Sequence, residues 1–188
     1  MARILAFSGS IRSGSFNKML LAVAVKGARE AGGQVTEIDL RDLPMPIYDG
    51  DLEAAHGLPE NVRAFKALLA DHQGLLIAAA EYNSSVTPLL KNAIDWASRA
   101  APGEAPLASF RGRHAGLLCA SPGALGGLRA LYHLREILQN IGVSVLPDPH
   151  LVAVSKAHEA FGQDGSLVHV KQRESVEGVG KKLVEALR

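Results

Sequence analysis

SGSIRSGSFN, residues Ser8 to Asn17, follows the short apolar run Ile4 to Phe7 and leads into an amphipathic pattern of helical period. Strand, small polar loop, helix is an order of elements suited to anion binding. The first turn of a helix carries unpaired N–H groups and the positive end of the macrodipole, so an anion there gains hydrogen bonds and favourable charge together. Gly9 and Gly14 let the backbone turn sharply, Ser8, Ser10, Ser13, Ser15 and Asn17 offer short polar side chains, and Arg12 offers a guanidinium fork. The common nucleotide motifs fail. Gly9 and Gly14 have G-x-x-x-x-G spacing, but Ser15 and Phe16 follow where a triphosphatase needs Lys and then Ser or Thr. Ser10, Ile11 and Arg12 likewise break the dinucleotide pattern G-x-G-x-x-G. Two readings stay open: a site for one non-transferred phosphate, or a Ser/Gly-rich turn in which Ser15 or Asn17 merely caps the helix.

Outward from this stretch, apolar runs of strand length alternate with helical stripes. Met19, Leu20, Val23 and Ala24 predict a helix ending at Gly32-Gly33, Val35 to Leu40 a second strand, Glu60 to Ala70 a helix, and Gly74 to Ala80 a central strand covered on both faces. Arg113 to Ala120 reads as strand four, and Val143 to Leu146 with Leu151 to Val154 as a fifth, edge strand around Pro147 and Pro149. A final helix starts near Ser166, weakened by Gly178 and Gly180. Residues 44–59 and 99–112, rich in Pro and Gly, read as loops. Such alternation predicts one doubly wound α/β domain over residues 1–188.

In an open parallel sheet ligands sit at the carboxyl ends of strands, which brings EYNSSVTP (Glu81 to Pro88) and SPGALGG (Ser121 to Gly127) beside the first loop. Tyr82 offers a flat face and Asn83 a donor and an acceptor, a pairing suited to a heteroaromatic ring. Tyr48 either covers such a ring or anchors its own loop. The following helix has Leu89, Leu90, Ala93, Ile94 and Trp96 on more than one side, which predicts a second covering surface, read as a subunit interface.

The totals narrow the partners. Twenty basic and nineteen acidic side chains leave a formal charge of +1, which favours small molecules or self-association over nucleic acid or an anionic membrane. No apolar run reaches the roughly 18 residues of a membrane helix, and the N-terminus has no signal-type apolar core. The lone Cys119 lies in an apolar run, fits a reducing cytoplasmic setting, and reads as an inert core thiol. The scattered histidines suggest no metal site, and Asp39 reads as a solvated carboxylate.

GSIRSGSFN, EYNSSVTPLLKNAIDW and SPGALGGLRA together resemble the NADPH-dependent FMN reductases, the group that includes quinone, chromate and azo-dye reductases. The resemblance implies a flavodoxin-like sandwich of about five parallel strands in the order 2-1-3-4-5. It implies an FMN phosphate held by Ser10, Arg12, Ser15 and Asn17, a ring lined by Tyr82, Asn83 and Ser84 with Ser121 and Gly123 nearby, and Phe16 and Glu81 as further cofactor-binding residues. It further implies NADPH or NADH as co-substrate, a small electron acceptor, a ping-pong cycle without a catalytic side chain, and a homodimer or homotetramer. The rival is a flavodoxin-type carrier without turnover of its own; such carriers are strongly acidic, unlike this chain. One departure stands out: the family usually has proline before E-Y-N, and this chain has Ala80.

Overall fold

The computed structural model describes residues 1–188. Strands β1 (Arg3–Ser8), β2 (Gln34–Glu37), β3 (Gly74–Ala78), β6 (His114–Ala120) and β7 (Ser144–Val145) pair in the order β2-β1-β3-β6-β7. All these pairings are parallel. The outer position beside β6 is shared: β7 pairs with its first residues, and β8 (Leu151–Val154) pairs with Leu117 to Ala120. Pro147 and Pro149, which cannot donate to a ladder, separate the two halves of this edge. The expected flavodoxin-like order is therefore present, with the fifth strand in two pieces.

Alternation along the strands divides the core. Ile4, Ala6, Leu76, Ala78, Leu118 and Ala120 face α1 (Phe16–Glu30) and α7 (Val170–Ala186), the latter preceded by the single turn α6 (Ala157–Ala160). Leu5, Phe7, Leu75, Ile77, Leu117 and Cys119 face α3 (Glu60–Asp71), α4 (Pro88–Ser98) and α5 (Leu128–Asn140). Each central strand is thus covered on both faces, as its uninterrupted apolar composition requires.

Helices α1 and α7 touch backbone to backbone. A Cβ at Gly180 would lie 2.1 Å from the Ala24 carbonyl oxygen, so this glycine permits the crossing rather than only weakening its helix. Gly178 has nothing within 4 Å of the same position. Gly178→Ala should therefore stabilise the protein by up to about 1 kcal/mol, seen as a rise of roughly 2–4 °C in melting temperature. An unchanged or lower value would contradict the open environment at that position.

Three expectations change. The second strand stops at Glu37, because Asp39 accepts the Arg41 amide at 3.0 Å and starts a short 3₁₀ turn, Leu40–Asp42. Residues 44–59 contain a helix, α2 (Gly50–His56), capped by Asp49, whose carboxylate accepts from the Asp51 amide at 2.9 Å. The second covering surface of α4 comes from its own chain. Leu90, Ala93, Ile94 and Ala97 enter the core under the sheet, while Trp96 is buried with Leu58 and Val62 beneath Met45, Tyr48 and Leu52. The apolar circumference of α4 is satisfied within one subunit and gives no argument for an interface there.

Candidate active site

The strand register sets the site. Phe7, Ile77 and Leu117 stand side by side across β1, β3 and β6, so the loops that follow leave from one edge of the sheet. Gly9 presses against the end of β3: its amide donates to the Ala78 carbonyl at 2.8 Å, and a Cβ would lie 2.0 Å from the Ala79 oxygen. Beyond it, Ser8 Oγ accepts the Ser10 amide at 3.2 Å and Ser10 Oγ accepts the Arg12 amide at 3.4 Å, curling the loop on itself. The amides of Ser13, Gly14, Ser15, Phe16 and Asn17 donate to no protein group. Ser15 occupies the N-cap position of α1, yet its hydroxyl makes no capping bond. Arg12 makes no ion pair. Ser10, Arg12, Ser15, Phe16 and Asn17 line one cleft, and unpaired amides, hydroxyls and a guanidinium without a carboxylate in the loop form an anion cradle.

Two of these side chains have other duties. Asn17 is buried and clamps the end of β6, donating from Nδ2 to the Ala120 carbonyl at 2.9 Å and accepting the Ala120 amide on Oδ1 at 2.8 Å. The Phe16 ring stacks on Phe161 at 5.9 Å. Both residues reach the cradle through their main-chain N–H groups.

Opposite the cradle, EYNSSVTP forms a hairpin rather than an open loop. Strands β4 (Glu81–Tyr82) and β5 (Ser85–Val86) flank Asn83 and Ser84, with φ of 50° and 66°, the two left-handed residues of a tight two-residue turn. Tyr82 is half exposed and lines the cleft with Glu81 and Ser121, while Asn83 and Ser84 stand at the exposed tip beyond it. Gly123 lies in an adjoining cleft that shares Glu81 and Ser121. The Glu81 carboxylate accepts the Ala130 amide at 3.1 Å, so it caps α5 and joins the hairpin to that helix. Ala80 has φ of 58°, which proline cannot adopt.

Residues 2–159 match the family described as NADPH-dependent FMN reductase. The chain belongs to this family. It is 40% identical over 175 residues to an NAD(P)H-dependent FMN reductase of Pseudomonas aeruginosa, covering 93% of this chain and 89% of the relative. It is 32% identical over 170 residues to a quinone reductase of Escherichia coli K12, covering 88% and 85%. Among solved structures it resembles the flavoenzyme NAD(P)H:(acceptor) oxidoreductase FerB of Paracoccus denitrificans, with a TM-score of 0.81 and 28% identity over 98% of this chain and 96% of that one. An archaeal flavodoxin, 13% identical with a TM-score of 0.65, covering 100% of this chain and 99% of its own, shares the fold.

Around the cleft of this FMN reductase family member, the structure separates scaffold from site. Cys119 is fully buried, and burial, with the Glu81 charge nearby, pushes its thiol pKa up to about 12, as an inert core thiol requires. Tyr48 anchors its loop: its amide donates to Asn92 Oδ1 at 2.8 Å, its hydroxyl to Glu53 at 2.9 Å, and its ring meets Trp96 edge-on at 4.9 Å. Thr87 is a residue that the sequence reading passed over. Its hydroxyl, 1% exposed, donates to the Gly9 carbonyl at 2.7 Å and accepts the Leu90 amide at 3.2 Å, so it caps α4 and holds the base of the Ser/Gly loop. The visible signal was Thr directly before Pro at a helix start.

Proposed function

We propose that the chain is an FMN-dependent NAD(P)H oxidoreductase that passes electrons to a small acceptor such as a quinone, free flavin, azo compound or chromate. The observation that carries this reading is the cradle of unpaired amides, hydroxyls and Arg12 facing a hairpin that presents Tyr82. The flavin, when bound, supplies the redox chemistry between nicotinamide and acceptor. The protein supplies binding and orientation. Ser10, Arg12, Ser15 and the amides of residues 13–17 hold the phosphate. Tyr82 on one side, with Ser121 and Gly123 on the other, would place the ring, Asn83 and Ser84 would meet its outer edge from the hairpin tip, and no side chain is assigned as acid or base.

Family membership and the near-neutral formal charge of +1 favour an enzyme over an electron carrier. No helix is long and apolar enough to cross a membrane. A cytoplasmic location suits the buried, unpaired Cys119 and a supply of NAD(P)H, and the subunits associate into a dimer or tetramer. Exposed Tyr82, Leu125 and Tyr132, on the hairpin and on α5 and its approach, offer apolar surface for that contact.

The test is to release the flavin from purified protein by heating, chromatograph it, and follow NADPH oxidation with a quinone and no partner protein. Mainly FMN and steady turnover with parallel double-reciprocal lines are expected. Mainly FAD would overturn the cofactor assignment, and turnover only with an added redox protein would leave an electron carrier.

A further inference from the structure

The Ser/Gly loop is held from outside at two points. Thr87 fixes its base at the Gly9 carbonyl. At its tip the Arg41 guanidinium, from the 3₁₀ turn after β2, donates to the Ile11 carbonyl oxygen. Arg41 is itself tied back through Asp39, whose Oδ1 accepts the Arg41 amide at 3.0 Å and whose Oδ2 pairs with Lys18 of α1 at 2.5 Å. Burial alone would raise the Asp39 pKa, but the bonds from Lys18 and Arg41 hold it below the usual carboxylate range. Lys18, Asp39, Arg41 and Ile11 thus form one chain of contacts from the first turn of α1, through the 3₁₀ turn after β2, to the loop.

A loop that binds a phosphate must turn its N–H groups inward and its carbonyl oxygens away, because each carbonyl dipole repels the anion. Ile11 lies immediately before Arg12, and its carbonyl is the one whose direction sets where the next peptide and the Arg12 side chain begin. A cation on that oxygen fixes its direction and offsets its negative end.

We propose that Arg41 is a positioning residue for the phosphate cradle: by holding the Ile11 carbonyl outward it sets the conformation in which Arg12 and the loop amides meet the FMN phosphate, with Asp39 and Lys18 setting Arg41. The inference rests on the FMN reading above. It gives a positioning role to three charged residues, Lys18, Asp39 and Arg41, that lie outside the three sequence motifs.

The experiment compares FMN with riboflavin, which has the same ring and no phosphate. Each is titrated by fluorescence quenching into flavin-free wild type, Arg41→Ala, Arg41→Lys and Asp39→Asn. Arg41→Ala should weaken FMN about tenfold, the equivalent of one hydrogen bond's net contribution, and leave riboflavin affinity unchanged. Arg41→Lys, which keeps the charge but not the fork, should fall between. Asp39→Asn should weaken FMN in the same direction. Unchanged FMN affinity in Arg41→Ala would overturn the proposal, and so would an equal loss for FMN and riboflavin, which marks a general structural role. Wild type that binds neither flavin would overturn the FMN reading itself, an outcome distinct from both.

Discussion

Replacing Ala80 with proline is expected to lower stability by about 3 kcal/mol or more, because proline fixes φ near −65° and Ala80 has φ of 58°. The substitution would have to rebuild the turn between β3 and β4, where the chain has little freedom. Ala80 is buried at 4% exposure, the Ala79 amide donates to Leu118 at 2.8 Å, and Glu81 is tied to the start of α5. For a chain of this size the loss corresponds to a fall of roughly 6 °C or more in melting temperature. Ala80→Gly is the paired control. Glycine accepts the left-handed conformation without the Cβ penalty of roughly 1–2 kcal/mol, offset in part by the greater freedom of the unfolded chain. Its melting temperature should equal or exceed wild type. Thermal melts of the flavin-free variants read both effects. A proline variant as stable as wild type would mean that the segment takes an extended conformation at this position.

The same residue shows what sequence could and could not give. In the sequence Ala80 is a bare departure from the family pattern; in the fold it marks a different backbone turn, and φ is not written in an alanine. The order of strands was legible because apolar runs alternate with helical stripes, and parallel strands require the long crossovers between them. The placement of the three loops at one edge followed from that order alone. Helix α2 escaped notice because none of its residues is buried, so it has no apolar stripe; only the Asp49 cap and the acidic first turn announced it. The interface reading of α4 loses its argument for a different reason. Periodicity tells how many faces a helix must bury, not which chain covers them, and here residues 45–62 do so. Asn17 was assigned by type to the phosphate, whereas its side chain belongs to Ala120, a partner 103 residues away that no local pattern indicates. The Arg41 contact to Ile11 was hidden in the same way by 30 residues of separation.

Arg12→Ala is expected to weaken FMN binding by roughly ten- to a hundredfold, since hydrogen bonds to charged groups typically contribute about 1.5–3 kcal/mol. Arg12 is the cation of the cradle without an ion pair, so its guanidinium has no competing partner to lose when it meets a phosphate. The loop amides of residues 13–17 and the hydroxyls of Ser10 and Ser15 remain in the variant, which limits the loss and keeps the site selective for FMN over riboflavin. Turnover should behave differently. The phosphate takes no part in electron transfer, so a group that contacts only the phosphate stabilises ground state and transition state alike, and its removal changes occupancy but not the rate of the occupied enzyme. At saturating FMN, kcat with NADPH and a quinone should stay near wild type, while the FMN concentration needed to reach it rises by the factor lost in affinity. Fluorescence titration and steady-state rates on the same preparation separate the two quantities. If affinity is unchanged while turnover collapses, Arg12 faces the reacting end of the cofactor, and the phosphate must lie elsewhere along the strand ends.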